Sequence, residues 1–210
     1  MKHTMKKIAT LGLALLMANA VSAQQTIKLE KVDMNRGASV MQALSNRQSA
    51  NEFSDTKLSL ADLSAVLWAG NGINRPDGRR TAASAMNRQD VDIYVFTDNG
   101  VWLYDAAASQ LNQVVSGDNR KLFGDRGMSP VILLLVSDLS KFGQVGSAEE
   151  RQMMGCIDAG IVYQNIALFG AANDICTRPR AMMDKAGVKA LLKLGDLQLP
   201  VLNVPVGYKK

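Results

Sequence analysis

The segment from residue 149 to residue 172 places the strongest constraint on the fold of this chain. Its spacing predicts one long helix whose apolar side chains point in almost every direction around the axis. These side chains are Met153, Met154, Ile157, Ile161, Val162, Ile166, Leu168 and Phe169. A helix that is apolar all round is buried rather than laid on a surface. The sequence therefore predicts a helix in the middle of something larger than one layer, such as a dimer.

Three further helices are predicted from apolar residues at helical spacing, over residues 40–45, 60–69 and 181–194. Ser59 is placed to cap the second of them, and the run Gly70-Asn71-Gly72 ends it. The following residues, 74–90, contain Pro, Gly, small side chains and four arginines. This composition predicts a long loop, and long loops in compact domains are usually functional.

Strands are predicted around these helices. Residues 91–105 form the clearest hairpin, because two β-rich runs flank Asn99-Gly100, a pair that suits a type I′ turn. Residues 111–115 add a short strand, and residues 130–138 are apolar without alternation, as in a strand covered on both faces. The final residues read as a strand with a basic end. This mixture indicates an α+β layered fold.

Residues 1–23 predict a secretory signal peptide rather than part of the fold. Three lysines precede an apolar run that ends at Val21-Ser22-Ala23, which fits cleavage after Ala23. The expected domain organisation is therefore a signal peptide at 1–23, a linker at 24–36 and one domain at 37–210. This interpretation predicts a periplasmic or otherwise exported protein.

Cleavage at this site would remove the only histidine and three of the lysines of the chain. The only histidine is His3, so the expected mature chain has no Ser-His-Asp triad, no Cys-His pair and no histidine metal ligand. The formal charge falls from +5 to +2, because residues 1–23 contain three lysines and no acidic residue. The high isoelectric point is then partly a property of the signal peptide, and it does not indicate a nucleic-acid partner.

Four polar islands interrupt the remaining apolar sequence. They are Arg47-Gln48-Ser49 with Asn51, the run 84–89, the pair Asp158 and Gln164 with the following Cys176-Thr177-Arg178, and the end 207–210. Arginine, lysine and hydroxyl groups are the donors that a phosphate requires. Side-chain amides both donate and accept, as the edge of a polar aromatic ring requires. The islands together suit a ligand with a phosphate at one end and such a ring at the other.

The order of these motifs resembles the FMN-dependent nitroreductase family. The sequence shows R-x-S-x-x-x-F at residue 47, S-A-x-N-x-Q at residue 84, D-x-G-x-x-x-Q-N at residue 158 and P-V-G-Y at residue 205. The run "LSLADLSAVLWAGNGI" followed by "GRRTAASA" is similar to the branch of thiazole- and oxazole-forming dehydrogenases. The resemblance covers about residues 37–210.

This resemblance implies a fold, a cofactor and an activity. The implied fold is a central, mainly antiparallel sheet flanked by helices, in an intertwined homodimer with two FMN sites at the subunit interface. The implied activity is two-electron hydride transfer from reduced FMN to a small-molecule acceptor, with an unknown electron donor. Carried over by position, the cofactor-binding residues are Arg47, Gln48, Ser49, Asn51, Ser84, Asn87, Gln89, Thr177, Arg178, Lys209 and Lys210.

One position departs from the family pattern. The family usually has Lys or Arg where this chain has Asn51, and that cation faces the flavin edge where negative charge gathers on reduction. A neutral amide stabilises that charge less. We therefore expect a lower flavin reduction potential than is usual in the family, unless Arg88 or Arg178 substitutes.

Structural interpretations stand beside these assignments. Ser84 is equally suited to turn chemistry before a strand, and Lys209 and Lys210 to a solvated tail. Cys176 is expected to be a packing residue, because no activating base accompanies it. No catalytic or metal-binding residue is predicted. The rival function is an exported, non-catalytic binding protein that retains the fold and has weakened or lost FMN binding.

Overall fold

A computed structural model describes residues 25–125 and 128–210 of the chain. The predicted signal peptide lies outside the described residues, and so does the first residue of the predicted linker. Within the described ranges no helix is long and apolar enough to cross a membrane.

A single antiparallel sheet of seven strands forms the centre of the fold. The strands are β1 Thr26–Lys28, β2 Val91–Phe96, β3 Gly100–Asp105, β4 Gln110–Ser116, β5 Val131–Asp138, β6 Ile175–Thr177 and β7 Gln198–Tyr208. Their spatial order is β1-β4-β3-β2-β5-β7-β6. The predicted α+β class and antiparallel sheet are confirmed.

Four α-helices accompany the sheet: α1 Val40–Asn46, α2 Leu60–Asn71, α3 Ala148–Ala172 and α4 Lys185–Leu192. Short 3-10 turns lie at Ala85–Asn87, Arg120–Phe123 and Leu139–Phe142. Ser59 caps α2 by accepting a hydrogen bond from the Asp62 N–H, and Gly72 ends the helix, as predicted. Ser147 and Glu150 form a reciprocal capping box that starts α3.

The strand β5 lies at the middle of the sheet and is buried on both faces, as its unbroken apolar sequence predicts. On one face Leu133 and Leu135 join the core that α2 and α3 cover. On the other face Ile132 and Leu134 pack with Phe123 and with Val188 of α4. Two apolar layers therefore hold the sheet between helices.

Helix α3 packs closely on the sheet at Gly155. A β-carbon added there would overlap the Ser137 side chain on β5, so only glycine permits this approach. The opposite side of α3 is not covered within one chain, and Met153 and Ile157 are exposed there. The prediction of a helix buried all round therefore does not hold for a single chain.

Replacing Gly155 with alanine is expected to destabilise the fold by about 1–3 kcal/mol, the usual cost of overpacking a tight contact. Urea denaturation of the variant measures this cost. Gly195→Ala is the matched control, because a β-carbon at Gly195 meets no atom within 4 Å. Equal stability of the two variants would contradict the proposed tight contact between α3 and β5.

Two predictions of local structure are wrong. The hairpin between β2 and β3 exists, but neither Asn99 nor Gly100 has the positive φ that a type I′ turn requires. Gly100 begins β3, and a β-carbon there would crowd the Val115 carbonyl oxygen at 2.8 Å, so close packing explains this glycine. Helix α4 begins only at Lys185, because backbone hydrogen bonds between Arg180 and Asn203 hold the preceding residues extended.

Candidate functional site

A cavity of about 760 Å³ opens between the segment after α1, the end of α3, strand β6 and the end of the chain. Among the predicted site residues, Arg47, Gln48, Ser49, Asn51, Thr177, Lys209 and Lys210 line it. The other lining residues are Ser45, Asn46, Ala50, Glu52, Ala167, Gly170, Ala171, Asp174, Ile175 and Cys176. The structure thus brings together two of the four polar islands and part of a third.

The segment that carries the first island is fixed by backbone contacts. Arg47 ends α1 by donating its N–H to the Ala43 carbonyl. Ser49 forms an isolated parallel bridge with Thr177, and the Ala50 N–H donates to the Thr177 carbonyl at 3.0 Å. Phe53 is buried and anchors the far end of the segment. The wall of the cavity is therefore an extension of the sheet rather than a free turn.

The end of the chain is fixed by Tyr208. Its hydroxyl donates to Asp62 on α2 at 2.5 Å and accepts from the Ser59 N–H at 3.1 Å. Burial opposes ionisation of Asp62, but hydrogen bonds from Tyr208 and Arg36 outweigh it and lower the pKa of Asp62. An ionised Asp62 thus holds Tyr208, the last residue of β7, in place, and the following Lys209 and Lys210 line the cavity.

The cavity contains more positive than negative side chains. Three cations, Arg47, Lys209 and Lys210, stand against two carboxylates, Glu52 and Asp174. Arg47 is half-buried, and its guanidinium makes no hydrogen bond or ion pair with any described residue. The contact of Lys210 with Glu52 is long, at 3.7 Å, and highly exposed, so it contributes little. An anionic group is the complementary ligand for this arrangement.

Asn51 has a cationic neighbour. The Arg178 guanidinium donates to the Asn51 side-chain carbonyl at 2.9 Å. Arg178 does not line the cavity, but this bond brings its charge to the residue where the family pattern has a cation. Of the two arginines that the sequence analysis names as replacements for the cation, Arg178 is the one bonded to Asn51.

Ser84, Asn87 and Gln89 lie away from the cavity. The Ala85 N–H donates to Asp158 on α3 at 2.9 Å. Asp158 precedes the cavity residue Gly170 by twelve residues, a distance of about 18 Å along a helix. The structure of one chain therefore places this island in a second region.

Within this second region, all three side chains take part in local hydrogen bonds. Ser84 accepts a hydrogen bond from the Gln89 N–H at 2.8 Å, and the Gln89 side chain accepts one from Arg80 at 3.1 Å. Asn87 is exposed and has a left-handed backbone, with φ at 53°. Local hydrogen bonding explains Ser84 and Gln89, whereas Asn87 Oδ1 accepts only a long hydrogen bond from Gln89 Nε2 at 3.4 Å, and the Asn87 side-chain N–H groups donate to no described residue.

Sequence reasoning missed part of the cavity wall. Ala167, Gly170 and Ala171 form a smooth face on α3, and their spacing of three and four residues was visible in the sequence. The carboxylates Glu52 and Asp174 were also missed, although each is a close sequence neighbour of a predicted site residue. No sequence pattern indicates which of these acidic residues would face the cavity.

Nucleophilic and metal chemistry find no support in this region. Burial raises the pKa of Cys176 despite the nearby charge of Lys209, so its sulfur stays protonated near neutral pH. Among the residues that the structure describes, no group of three or more His, Cys, Asp and Glu side chains is placed to hold a metal ion. The described lining of the cavity therefore combines three cationic side chains with a thiol that is neutral near pH 7.

Comparison with known families decides the classification. The family model described as the Nitroreductase family matches residues 44–208, which include every predicted site residue except Lys209 and Lys210. The chain belongs to the nitroreductase family. The resemblance predicted from the sequence is confirmed. None of the curated proteins compared with this nitroreductase-family chain matches it significantly.

Solved structures share the fold. A protein of Ralstonia eutropha JMP134 assigned as a nitroreductase is 27% identical, with a TM-score of 0.83, and the match covers 88% of this chain and 90% of that one. An assigned NAD(P)H:FMN oxidoreductase of Staphylococcus epidermidis is 16% identical, covering 86% and 91%, with a TM-score of 0.63. One chain of the Escherichia coli microcin synthetase complex McbBCD, bound to truncated pro-MccB17, is 17% identical, with a TM-score of 0.69. The match covers 98% of this chain and 85% of that one.

Proposed function

We propose that this nitroreductase-family protein is an FMN-dependent oxidoreductase that reduces a small-molecule acceptor. The observation that carries the proposal is the guanidinium of half-buried Arg47, which has no partner among the described residues, while Arg47 lines a cavity with Lys209 and Lys210. A bound phosphate would supply that partner.

The residues of the cavity fit the phosphate end of FMN. Arg47 is suited to bidentate binding of a phosphate, and Ser49 adds a hydroxyl donor. Lys209 and Lys210 add charge from the end of the chain, where Tyr208 fixes their position. The contact between Lys210 and Glu52 is weak enough to be exchanged for a ligand.

The remaining residues fit a flat group at a distance from the phosphate. The smooth α3 face formed by Ala167, Gly170 and Ala171 leaves room for an extended ligand. Asn51 with Arg178 presents an amide and a positive charge together. The exposed Asn87 amide is proposed to contact the ring edge. A separation of about 18 Å along α3 suits an elongated molecule rather than a compact one.

The chemistry that the cofactor supplies is two-electron transfer to the acceptor. The protein's own residues bind and orient it and set its electrostatic environment. Arg178, held against Asn51, is placed to stabilise negative charge that develops on reduction. Cys176 stays neutral beside this site, so no side chain of the cavity competes as a nucleophile.

A homodimer is part of this proposal. Apolar side chains are exposed on α1 (Val40, Met41 and Leu44), which packs on α3, and on α3 itself (Met153 and Ile157). Exposed apolar patches mark interaction sites. A second copy of the chain would cover the side of α3 that one chain leaves exposed.

Introducing a charge into this surface is expected to weaken the dimer. Ile157→Lys buries an ammonium group without a partner in the interface, so we expect dissociation to become at least about tenfold easier. Sedimentation across a concentration series measures the change. Met182→Lys is the matched control, because Met182 is also exposed but precedes α4. Unchanged association of Ile157→Lys would contradict this interface.

Export is also proposed, on the sequence of residues 1–23 alone. A transported enzyme would depend on an electron donor other than cytoplasmic nicotinamide cofactors, so the two half-reactions are best measured separately. The purified protein is loaded with FMN, reduced with dithionite under anaerobic conditions and mixed with a quinone or a nitroaromatic compound. We expect saturable reoxidation that depends on the protein. Reoxidation no faster than that of free reduced FMN would contradict the oxidoreductase function.

A further inference from the structure

Two buried carboxyl groups meet beneath the segment 84–89. Asp90, immediately before β2, is 0% exposed, and Asp158, on the inner face of α3, is 2% exposed. Gly155 brings α3 against Ser137, and Asp158 lies one helical turn farther along the same face. The side chains of Asp90 and Asp158 are within hydrogen-bonding contact.

The hydrogen bonds around this pair leave one fully buried oxygen without a donor. Ser137 donates to Asp90 Oδ2 at 2.5 Å, and the Ala85 N–H donates to Asp158 Oδ2 at 2.9 Å. Asp90 Oδ1 is buried and has no hydrogen-bond partner among the described residues. Two ionised carboxylates in contact repel each other, whereas one proton between them satisfies both oxygens.

The proton belongs mainly to Asp90. Asp158 Oδ2 already accepts the Ala85 N–H, whereas Asp90 Oδ1 has no donor among the described residues. Burial, reinforced by the neighbouring Asp158, outweighs the Ser137 hydrogen bond and raises the pKa of Asp90 to about 7. Groups coupled this closely titrate as a pair.

Among the described residues, no cation is bonded to either carboxylate to offset a second negative charge. Lys141, on the turn after β5, donates to the Gln89 carbonyl and approaches Asp92 at 3.4 Å. Arg80, in the loop before β2, donates to Gln89. Asp138 at the end of β5 adds negative charge. Among the described residues, neither of these cations bonds to Asp90 or Asp158.

We propose that Asp90 and Asp158 share one proton, and that this proton clamps the segment 84–89 onto α3. Above neutral pH the proton passes to solvent and the two carboxylates repel each other. The hydrogen bond from the Ala85 N–H to Asp158 is then broken. The clamp is a property of the chain without ligand. Its effect on FMN through Asn87 rests on the proposed function.

Hydrogen exchange of the ligand-free protein tests the clamp directly. We expect the protection factor of the Ala85 amide, corrected for intrinsic exchange, to fall about tenfold between pH 6 and pH 8.5, the ratio that corresponds to one unit of pKa. Infrared spectra should lose a protonated carboxyl band over the same range. Constant protection together with a constant spectrum would overturn the proposal.

Asparagine variants replace the shared proton with fixed amide hydrogens. Asp90→Asn keeps an acceptor for Ser137 and offers a donor to Asp158, so we expect protection of Ala85 to become independent of pH. Asp105→Asn, on β3 and outside the pair, is the control and should retain the wild-type profile. An Asp90→Asn profile identical to wild type would contradict the clamp.

The stability of the fold supplies a second readout that does not depend on Ala85. Asp90 keeps its proton in the folded protein up to about pH 7 but loses it near its ordinary value of 3.8 when unfolded. This group therefore makes the free energy of unfolding fall as pH rises from about 4 to about 7, with no further fall above that range. We expect Asp90→Asn to remove this slope, and an unchanged slope would contradict the shared proton.

FMN titrations at pH 6 and pH 8.5 separate this inference from the proposed function. Weaker binding at the higher pH in wild type, but not in Asp90→Asn, supports the link between clamp and site. If FMN does not bind at either pH while Ala85 exchange still changes, the clamp stands and the proposed function fails. Binding that is equal at both pH values while Ala85 loses protection overturns the link to the flavin site.

Discussion

Replacing Arg47 with glutamine is expected to lower FMN affinity by about 10- to 100-fold. Arg47 is half-buried in the cavity wall, and its guanidinium has no partner among the described residues. A charge-assisted hydrogen bond to phosphate is worth about 1.5–3 kcal/mol, which corresponds to this range of affinity. Quenching of flavin fluorescence during titration with the protein measures the two dissociation constants.

Two comparisons make this result specific. Arg79→Gln removes an exposed arginine from the loop 74–90, outside the cavity, and should leave FMN affinity unchanged. Riboflavin, which lacks the phosphate, should bind wild type and Arg47→Gln equally. If Arg47→Gln binds FMN as tightly as wild type, the proposal that the cavity binds the FMN phosphate is contradicted.

Replacing Arg178 with glutamine is expected to lower the midpoint potential of bound flavin by about 20–40 mV. The Arg178 guanidinium is bonded to Asn51 and brings positive charge to an otherwise neutral position. Losing about 1–2 kcal/mol of stabilisation of the reduced state corresponds to this shift, since about 30 mV equals 1.4 kcal/mol for a two-electron couple. Reduction with xanthine oxidase beside a reference dye measures the potential.

A double-mutant cycle tests whether Arg178 acts through Asn51. Asn51→Lys should raise the potential more in the Arg178→Gln background than in wild type, because wild type already has a cation there. Arg88→Gln is the control, since Arg88 follows the 85–87 turn and is not bonded to Asn51. Equal shifts of Asn51→Lys in both backgrounds would show that Arg178 does not supply the charge.

Elements governed by local sequence were predictable. The apolar run of β5, the Ser59 cap of α2 and the long α3 each carry their own signal, and the structure confirms them. The turn before Gly100 was not predictable. Glycine is required there because Val115 on a neighbouring strand packs closely against it, not because the turn needs a positive φ. The late start of α4 likewise depends on a tertiary partner.

The site was predictable as a set of residues but not as a geometry. The order of polar islands indicated the family, and the cavity unites the islands around Arg47 and Lys209. Nothing local indicates that Arg178 bonds to Asn51, because 127 residues separate them. The contact between Asp90 and Asp158 could not be predicted from the sequence either, because it forms only when Gly155 lets α3 approach β5.

Equilibrium titration of the purified protein with FMN tests the central claim most directly. The account predicts a shifted and resolved flavin absorbance spectrum, with saturation at one FMN per chain and competition by inorganic phosphate. A protein that is purified colourless and leaves the spectrum of added FMN unchanged would contradict it. That result would favour a binding protein that keeps the nitroreductase fold without its cofactor.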